Sequence, residues 1–367
     1  MQLPWSKELF AFDARMYRHS GIGTYIRNLI REYEAQGMAQ QMLLLSGGRL
    51  DGVTMRIQHC PHKIYGLAEQ TLLPLSIRDA DLLHCPHYNA PALFPGKLVV
   101  TIHDLNHLTF YDQLPSLFHK LYVRVMMALV VKRADAIITD SNWTRGGICR
   151  RWPFAESKTK TVYCGVPSPW PPADPKGVLD SYGIDRPYIL YLGLLKRHKN
   201  LPRLIEAFGL SQKTLKGQYL LLIAGDPNSD DNNLPQHIAR SPATGLVRLL
   251  GYIPDADLPA LQSQAALFVF PSLAEGFGLP PLEAMSYRVP VASSNASCLP
   301  EILKDAPLYF DPHDVAEMAS CIERAVSDKA WREESINRGK VVASSYRWEV
   351  AAEQCLDVYQ SLTEFKR

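Results

Sequence analysis

LFVFPSLAEGFGLPPLEAMSYRVPVASSN, residues 267–295, is the stretch that decides how this chain folds. Its opening apolar run, ending at Pro271, reads as a strand buried on both faces. A loop with two glycines follows, and Pro280 and Pro281 stand where a helix would begin, a position at which a missing backbone donor costs little. Strand, glycine loop and helix in direct succession read as part of a βαβ unit. Glu275 and Glu283 flank the loop with seven residues between them. One precedes the turn and the other falls in the first helical turn, so both can point at the same mouth. Ionised carboxylates only accept hydrogen bonds, and the vicinal hydroxyls of a sugar and a ribose are matching donors. Gly276 and Gly278 permit a close backbone approach to a ligand, and the amides of Phe277, Gly278 and Leu279 would face an anion at the helix N-terminus. A Glu that merely complements the helix start is the alternative; it leaves the second acid and both glycines unexplained.

Outward from this segment the same alternation continues. In the second half, strands are expected at 188–192, 219–223, 247–250, 267–270, 289–293 and 307–310. Helices are expected at 201–210, 256–264 and 281–287. In the first half, strands are expected at 9–13, 41–45, 80–84, 97–102, 136–139 and 159–163, with helices at 22–36 and 117–132. Between the halves, residues 166–176 (VPSPWPPADPK) hold five prolines in eleven positions, a stiff extended linker. The expectation is α/β: two doubly wound, Rossmann-like domains, 1–170 and 171–345, with a last helix at 346–367 crossing back to the first. In such sheets ligands bind outside the carboxyl ends of the strands.

Composition narrows the function. The 367 residues are 47% hydrophobic and 21% charged with net charge +2, too balanced for a dedicated nucleic-acid binder. The longest uninterrupted apolar run, 125–131, is far short of the roughly 20 residues that span a bilayer. Lys7 and Glu8 stand where a signal peptide would be apolar, and the seven cysteines are scattered and odd in number; both point to a cytoplasmic protein with reduced thiols. The first 170 residues carry net +6 and the remainder −4, so the first half could meet an anionic acceptor or a membrane surface. LFHKLYVRVMMALVVKR (117–133) mixes basic and apolar residues. It reads foremost as a buried helix with snorkelling basic ends, a helix lying on a bilayer being the alternative.

Two further places carry candidate chemistry. HSGIGTYIRNL (19–29) puts Gly21 and Gly23 in a tight turn whose amides could meet phosphate, without the full GxGxxG of a dinucleotide site. HCPH (84–87) and HDLNH (103–107) gather His84, His87, His103, Asp104 and His107 behind neighbouring strands. That collection could hold a metal and supports a rival reading as a metal-dependent hydrolase.

The 267–295 passage resembles the E-x7-E signature of retaining family 4 glycosyltransferases with the GT-B fold. YLGLLKRHKN (191–200), LLLIAGD (220–226), 251–272, 293–302 and GIGTYIRNL (21–29) fit the same family. The resemblance implies a deep cleft between the two domains, a nucleotide-sugar donor held by the second domain and an acceptor presented by the first. Glu275 would bond the donor sugar and Glu283 the ribose, the loop amides would line the sugar and diphosphate, and Lys199 would hold the diphosphate. The family's companion arginine is replaced here by Leu194 or His198, leaving Arg197 and Lys196 as substitutes; cations at a helix start oppose the macrodipole and invite an anion. The glycines 21 and 23 would sit near the diphosphate, His103 near the reacting carbon and the Ile253 backbone at the base. No metal or cofactor is implied. The stretches at 193–208 and 293–302 resemble bacterial mannosyltransferases of surface polysaccharide synthesis. They imply GDP-mannose as donor, a UDP-hexose being the alternative, a lipid-linked or growing glycan as acceptor, and a place at the inner face of the membrane. A non-catalytic nucleotide-sugar binder on the same scaffold is the remaining rival.

Overall fold

The computed structural model describes residues 8–363 apart from 63, 65, 114, 115, 173 and 231; residues 1–7 and the end of the expected last helix, 364–367, lie outside the described part. The chain divides into two compact units, Met1–Gly165 with Arg347–Arg367, and Val166–Tyr346. The proline-rich stretch opens the second unit. It does not stay extended throughout: Asp174 caps the helix Pro175–Ser181, accepting from the Gly177 amide.

The first unit is built on a parallel sheet of β1 (Phe10–Asp13), β2 (Met42–Ser46), β3 (Arg56–His59), β4 (Leu82–Cys85), β5 (Lys97–Thr101), β6 (Ala136–Thr139) and β7 (Thr159–Thr161), in the order β3-β2-β1-β4-β5-β6-β7. The reading of the sequence lacked β3. Its residues RIQH are largely exposed and mostly polar, and only the pairing with β2 makes them a strand.

The second unit holds β8 (Tyr188–Leu192), β9 (Leu220–Ala224), β10 (Val247–Gly251), β11 (Leu267–Phe270), β12 (Val291–Ser294) and β13 (Leu308–Phe310), also parallel, in the order β10-β9-β8-β11-β12-β13. All six were legible, and the three central ones, YILYL, LLLIA and LFVF, are the continuous apolar runs that such strands require. Both units are therefore wound alike. Strand order reverses beside β1 in one and beside β8 in the other, and the crevice at such a reversal is where open α/β sheets take ligands.

The helix Trp348–Thr363 packs within the first unit. Tyr359 joins a buried set with Tyr33 (3.0 Å) and His84 (2.6 Å), and Trp348 lies so close to Gly165 that a Cβ there would fall 2.2 Å from its backbone nitrogen. The helix Leu117–Arg133 corrects the expectation of a buried helix. Val123, Met126, Met127, Val130 and Val131 enter the core, but Leu117, Phe118, Leu121, Val125 and Leu129 remain exposed. The sheet takes one face, and nothing among the described residues covers the other.

Candidate functional site

In the second unit the candidate residues gather at the carboxyl ends of β8 and β11. After β8 the chain makes a short 3-10 turn, Arg197–Lys199, and enters the helix Leu201–Leu215 through Asn200, a non-glycine residue at φ 61°. Its side chain explains why that conformation holds. The buried Asn200 amide donates to the carbonyls of Pro271 (3.1 Å) and Pro312 (2.7 Å), tying the turn to the end of β11. The Leu273 amide donates to the His198 carbonyl at 2.7 Å, a second tie between the same two segments.

These ties bring Lys199 and Glu275 together. Nζ lies 2.7 Å from Oε1, both side chains are mostly buried, and the ammonium stands 5.5 Å from the centre of the Phe270 ring. Arg197 is exposed and Lys196 half-buried on the same turn. The Glu275 loop is itself held from behind. Ser297 Oγ accepts from the Glu275 amide (2.9 Å), and the buried Cys298 thiol lies 3.3 Å from the carbonyls of both Glu275 and Phe277. Ser297 and Cys298 had no signal in a reading of residue types. Ser297 has positive φ without being glycine, which is visible only in the fold.

Gly278 caps the helix Leu279–Ser286 at φ 98°, and a Cβ there would press to 2.8 Å from a Leu299 methyl. Phe277 turns its ring into the core against Tyr346, so the loop offers backbone, not an aromatic side chain. With prolines at 280 and 281, two of the amides that normally stand open at a helix start are absent, leaving that of Leu279 at its mouth. Gly276 is buried in the same loop and Leu279 half-buried. The helix begins at Leu279, so Glu283 falls past the first turn where it was expected; burial pushes its carboxyl above the ordinary range and a 3.4 Å bond from Gln262 offsets this in part. A half-buried carboxylate with one long hydrogen bond is ready to accept hydroxyl donors. Ile253, just past β10, is buried.

The first unit's candidates are arranged differently. Gly21 (φ 74°) caps the helix Ile22–Ala35, and Gly23 is sterically required, since a Cβ would lie 2.5 Å from the Tyr17 carbonyl. The expectation that this turn offers free amides needs correction. Those of Ile22, Gly23 and Thr24 donate to the carbonyls of Ser20, His19 and Gly21. His103 is held between Asp140 Oδ2 (2.5 Å from Nδ1) and the Pro86 carbonyl (3.0 Å from Nε2), edge-on to Tyr25. Burial alone would lower its pKa; Asp140 and that carbonyl outweigh it, and the pKa is raised. Both ring nitrogens thus face acceptors, the hydrogen bonding of an imidazolium.

The four histidines do not converge on a metal. His84 is bonded to Tyr359 and Thr101, and burial lowers its pKa to about 3. His107 is exposed beside Tyr88, and His103 is spent on Asp140 and Pro86. Asp104 caps its own turn, accepting from the Asn106 amide. His87 instead joins Asp13 and Glu69, whose ligand atoms lie within 4.8 Å of one another. There the Arg15 guanidinium already bonds both carboxylates, so a cation's place is filled by the chain itself.

What the second unit's arrangement can do is grip a polyanion and a polyol side by side: a cation on a tethered turn, two acids across a glycine loop, and a helix mouth. Comparison with known proteins identifies the family and the fold. Residues 19–168 match Glycosyltransferase Family 4 and residues 181–342 match Glycosyl transferases group 1. The O-antigen chain mannosyltransferase B of Escherichia coli is 31% identical over 386 aligned positions, spanning 97% of this chain and 100% of that protein. The O-antigen chain mannosyltransferase RfbU of Salmonella typhimurium is 27% identical, spanning 71% and 68%. The crystal structure of Anabaena HepE in complex with UDP and glucose is similar at TM-score 0.79 and 19% identity over 97% of this chain and 100% of that one, a likeness of fold. The fold is GT-B, and the chain belongs to the group 1, family 4 glycosyltransferases.

Proposed function

We propose that this chain is a cytoplasmic mannosyltransferase that moves mannose from GDP-mannose to a hydroxyl of a growing or lipid-linked glycan, with retention of configuration and with no metal or cofactor. The observation that carries it is the Lys199–Glu275 pair on tethered loops, with Glu283 in the helix beyond. The mannosyl assignment rests on the names of the relatives that align along most of the chain.

In this reading Glu275 takes the sugar hydroxyls, Glu283 the ribose hydroxyls, and the Ile253 backbone the base. Lys199, with Arg197 and Lys196 on the same turn, steadies the diphosphate as it gains charge in departure; preorganised charge of this kind commonly supplies the greater part of a rate enhancement. The amides of the Gly276–Leu279 loop line the sugar and diphosphate. The resemblance sets His103 beside the sugar, but both its N–H groups already go to Asp140 and the Pro86 carbonyl. Its two nitrogens face acceptors, so it is no candidate for a general base. That fits a route in which the departing phosphate oxygen accepts the acceptor's proton while the new bond forms on the same face.

Nucleotide-dependent melting tests the donor, because a ligand that binds only the native state raises its apparent stability. GDP and GDP-mannose are expected to raise the melting temperature and UDP is not, and NMR of the product is expected to show the donor's anomeric configuration. Lys199→Met is expected to lower kcat/KM by about 10²–10³-fold, the scale of losing one stabilising donor. Stabilisation by UDP alone, or an inverted product, overturns the respective part; full activity after chelation is expected.

A further inference from the structure

At the carboxyl ends of β1, β2 and β3 the first unit has an open pocket of about 550 Å³, within the range of small-molecule sites. Three of its lining residues show where it lies: Arg15 comes two positions after β1, Gly47 directly after β2 and Cys60 directly after β3. Arg18, His19 and His62 line it too, and no Asp or Glu among the described residues does. Open α/β sheets take ligands on this side, but the pocket opens over β2 and β3 and not at the reversal between β1 and β4. Nothing assigned so far to the sugar donor uses it.

The donors differ in how firmly they are held. Arg15 is buried and fixed: Nε and Nη2 bond Asp13, Nη2 also bonds Glu69, and Nη1 bonds the His62 carbonyl. That commits four of the five guanidinium protons and leaves one on Nη1 without a partner among the described residues. Arg18 is the opposite. It stands 3.5 Å from Asp51 with the two side chains 75% and 77% exposed, a surface pair that holds little and readily exchanges for an anion. His19 meets the Ser20 carbonyl through Nδ1 at 3.0 Å, which leaves Nε2 over. The half-buried His62 ring has no partner among the described residues. A carboxylate presents two oxygens in one plane, whereas a phosphate presents them in three directions or more. Nitrogens on two separate loops, after β1 and after β3, suit the second shape, and guanidinium groups bond phosphate strongly. The volume exceeds that of a lone phosphate, so there is room for the group it is attached to.

We propose that this pocket binds the phosphate group of an ester, the remaining Arg15 proton setting its place and Arg18, His19 and His62 completing its bonds. Two sources offer that chemistry: a phosphate carried by the acceptor, an assignment that rests on the function proposed above, and a free phosphate monoester, which does not. The binding itself is tested without the transfer reaction.

Glycerol 3-phosphate is titrated into the full chain carrying Lys199→Met, so that the donor-side cation does not compete. Ring-proton NMR, with His19 and His62 assigned by glutamine substitution, is expected to show both imidazoles moving along one saturable curve. Adding Arg18→Gln is expected to weaken the binding about ten-fold, the scale of one hydrogen bond to a charged group. His62→Gln is expected to weaken it as well, and melting temperatures to stay unchanged, since the Arg18 side chain is exposed and the bond from Arg15 goes to the His62 backbone. Arg78→Gln, at an exposed arginine outside the pocket, is expected to leave it unaltered. Rings that do not move, or equal losses from Arg18→Gln and Arg78→Gln, overturn the proposal. With Lys199 restored, transfer separates the sources. If Arg18→Gln lowers kcat/KM for a diphosphate-linked glycan about ten-fold relative to the same glycan on a neutral aglycone, the acceptor carries the phosphate. An unchanged ratio with the binding lost assigns the pocket to a free monoester. A chain that binds the probe and transfers no sugar refutes the function and not the pocket.

Discussion

Replacing Arg15 by methionine takes the guanidinium out of a buried cluster of acids. Its Nε and Nη2 reach Asp13 at 2.8 and 2.5 Å, Nη2 also reaches Glu69 at 2.5 Å, and Nη1 donates to the His62 carbonyl at 3.2 Å. The Arg15 side chain is 4% exposed and the two carboxylates not at all. Removing one partner of a buried pair strands the other's charge and costs about 3–5 kcal/mol. Here two carboxylates are stranded, and one can escape by taking up a proton. Glu69 is that one: burial already raises its pKa, outweighing the pull of Arg15. Burial alone would raise Asp13 as well, but Arg15 and His87 hold its carboxyl well below the usual carboxylate range.

The direction with pH follows from linkage. In the variant the folded Glu69 pKa rises further above its unfolded value, so the folded state binds more protons and loses stability as pH rises through that window, about 1.4 kcal/mol per unit. Asp13 runs the other way. Its depressed pKa contributes stability that is present above the unfolded value and lost only as pH falls through the folded one, in acid well below the window of interest. Urea unfolding followed by circular dichroism is therefore expected to show a deficit of about 3–5 kcal/mol near pH 8 that shrinks by about 2 kcal/mol near pH 5.5. Arg15→Met with Glu69→Gln, which removes the second charge, is expected to recover about half of it. A deficit under about 1 kcal/mol, or one equal at both pH values, would refute the view that charge burial governs this cluster.

Two other outcomes test single contacts. Asn200→Ala removes both carbonyl ties at the donor-side turn and leaves a Cβ residue at φ 61°, which is expected to cost about 2–4 kcal/mol of thermal stability, with Asn200→Gly costing about 1 kcal/mol less because the left-handed backbone then carries no strain; equal losses would show that the strain is absent. Asp140→Asn is expected to move the His103 titration, followed by NMR of its ring protons, downward, and with it to remove a stabilising increment that is full below the ordinary histidine pKa and lost as pH rises through the folded one; an unmoved titration would mean that Asp140 does not charge the imidazole.

What was legible in the sequence follows from how local each cause is. The central strands β8, β9 and β11 announce themselves because both faces are buried, so their composition alone suffices. β3 was not legible, because RIQH becomes a strand through its neighbour's hydrogen bonds. The Glu275–Glu283 loop was readable because prolines and a positive-φ glycine act within a few residues. Asn200, Ser297 and Cys298 were not, since each acts on residues 21 to 112 positions away in the chain. The histidine cluster shows the opposite error. Residue types suggested four ligands in one place, whereas the fold gives them separate partners. The helix Leu117–Arg133 carries apolar residues on more than one face with basic ones among them, a pattern that reads as burial with snorkelling ends, whereas only Val123, Met126, Met127, Val130 and Val131 are buried.

Two sheets of the same winding nevertheless carry different chemistry at the same topological place, and the difference lies in what fills the crevice. At the reversal beside β8, Lys199 and Glu275 are 13% and 11% exposed and hold one another by one contact. Such a pair can part when a phosphate replaces the carboxylate and a hydroxyl replaces the ammonium, because each ligand group satisfies the ion it frees. At the reversal beside β1, Asp13, Arg15, Glu69 and His87 fill the space with mutual bonds, and Asn89 and Tyr122 extend the chain of contacts from Glu69. No ligand of ordinary charge could displace that set without stranding a buried ion. In the proposed reading, an acceptor presented by the first unit would therefore be met outside the cluster. The sheet supplies a mouth in each half; whether the mouth binds or braces is decided by how many bonds its charges already make to one another.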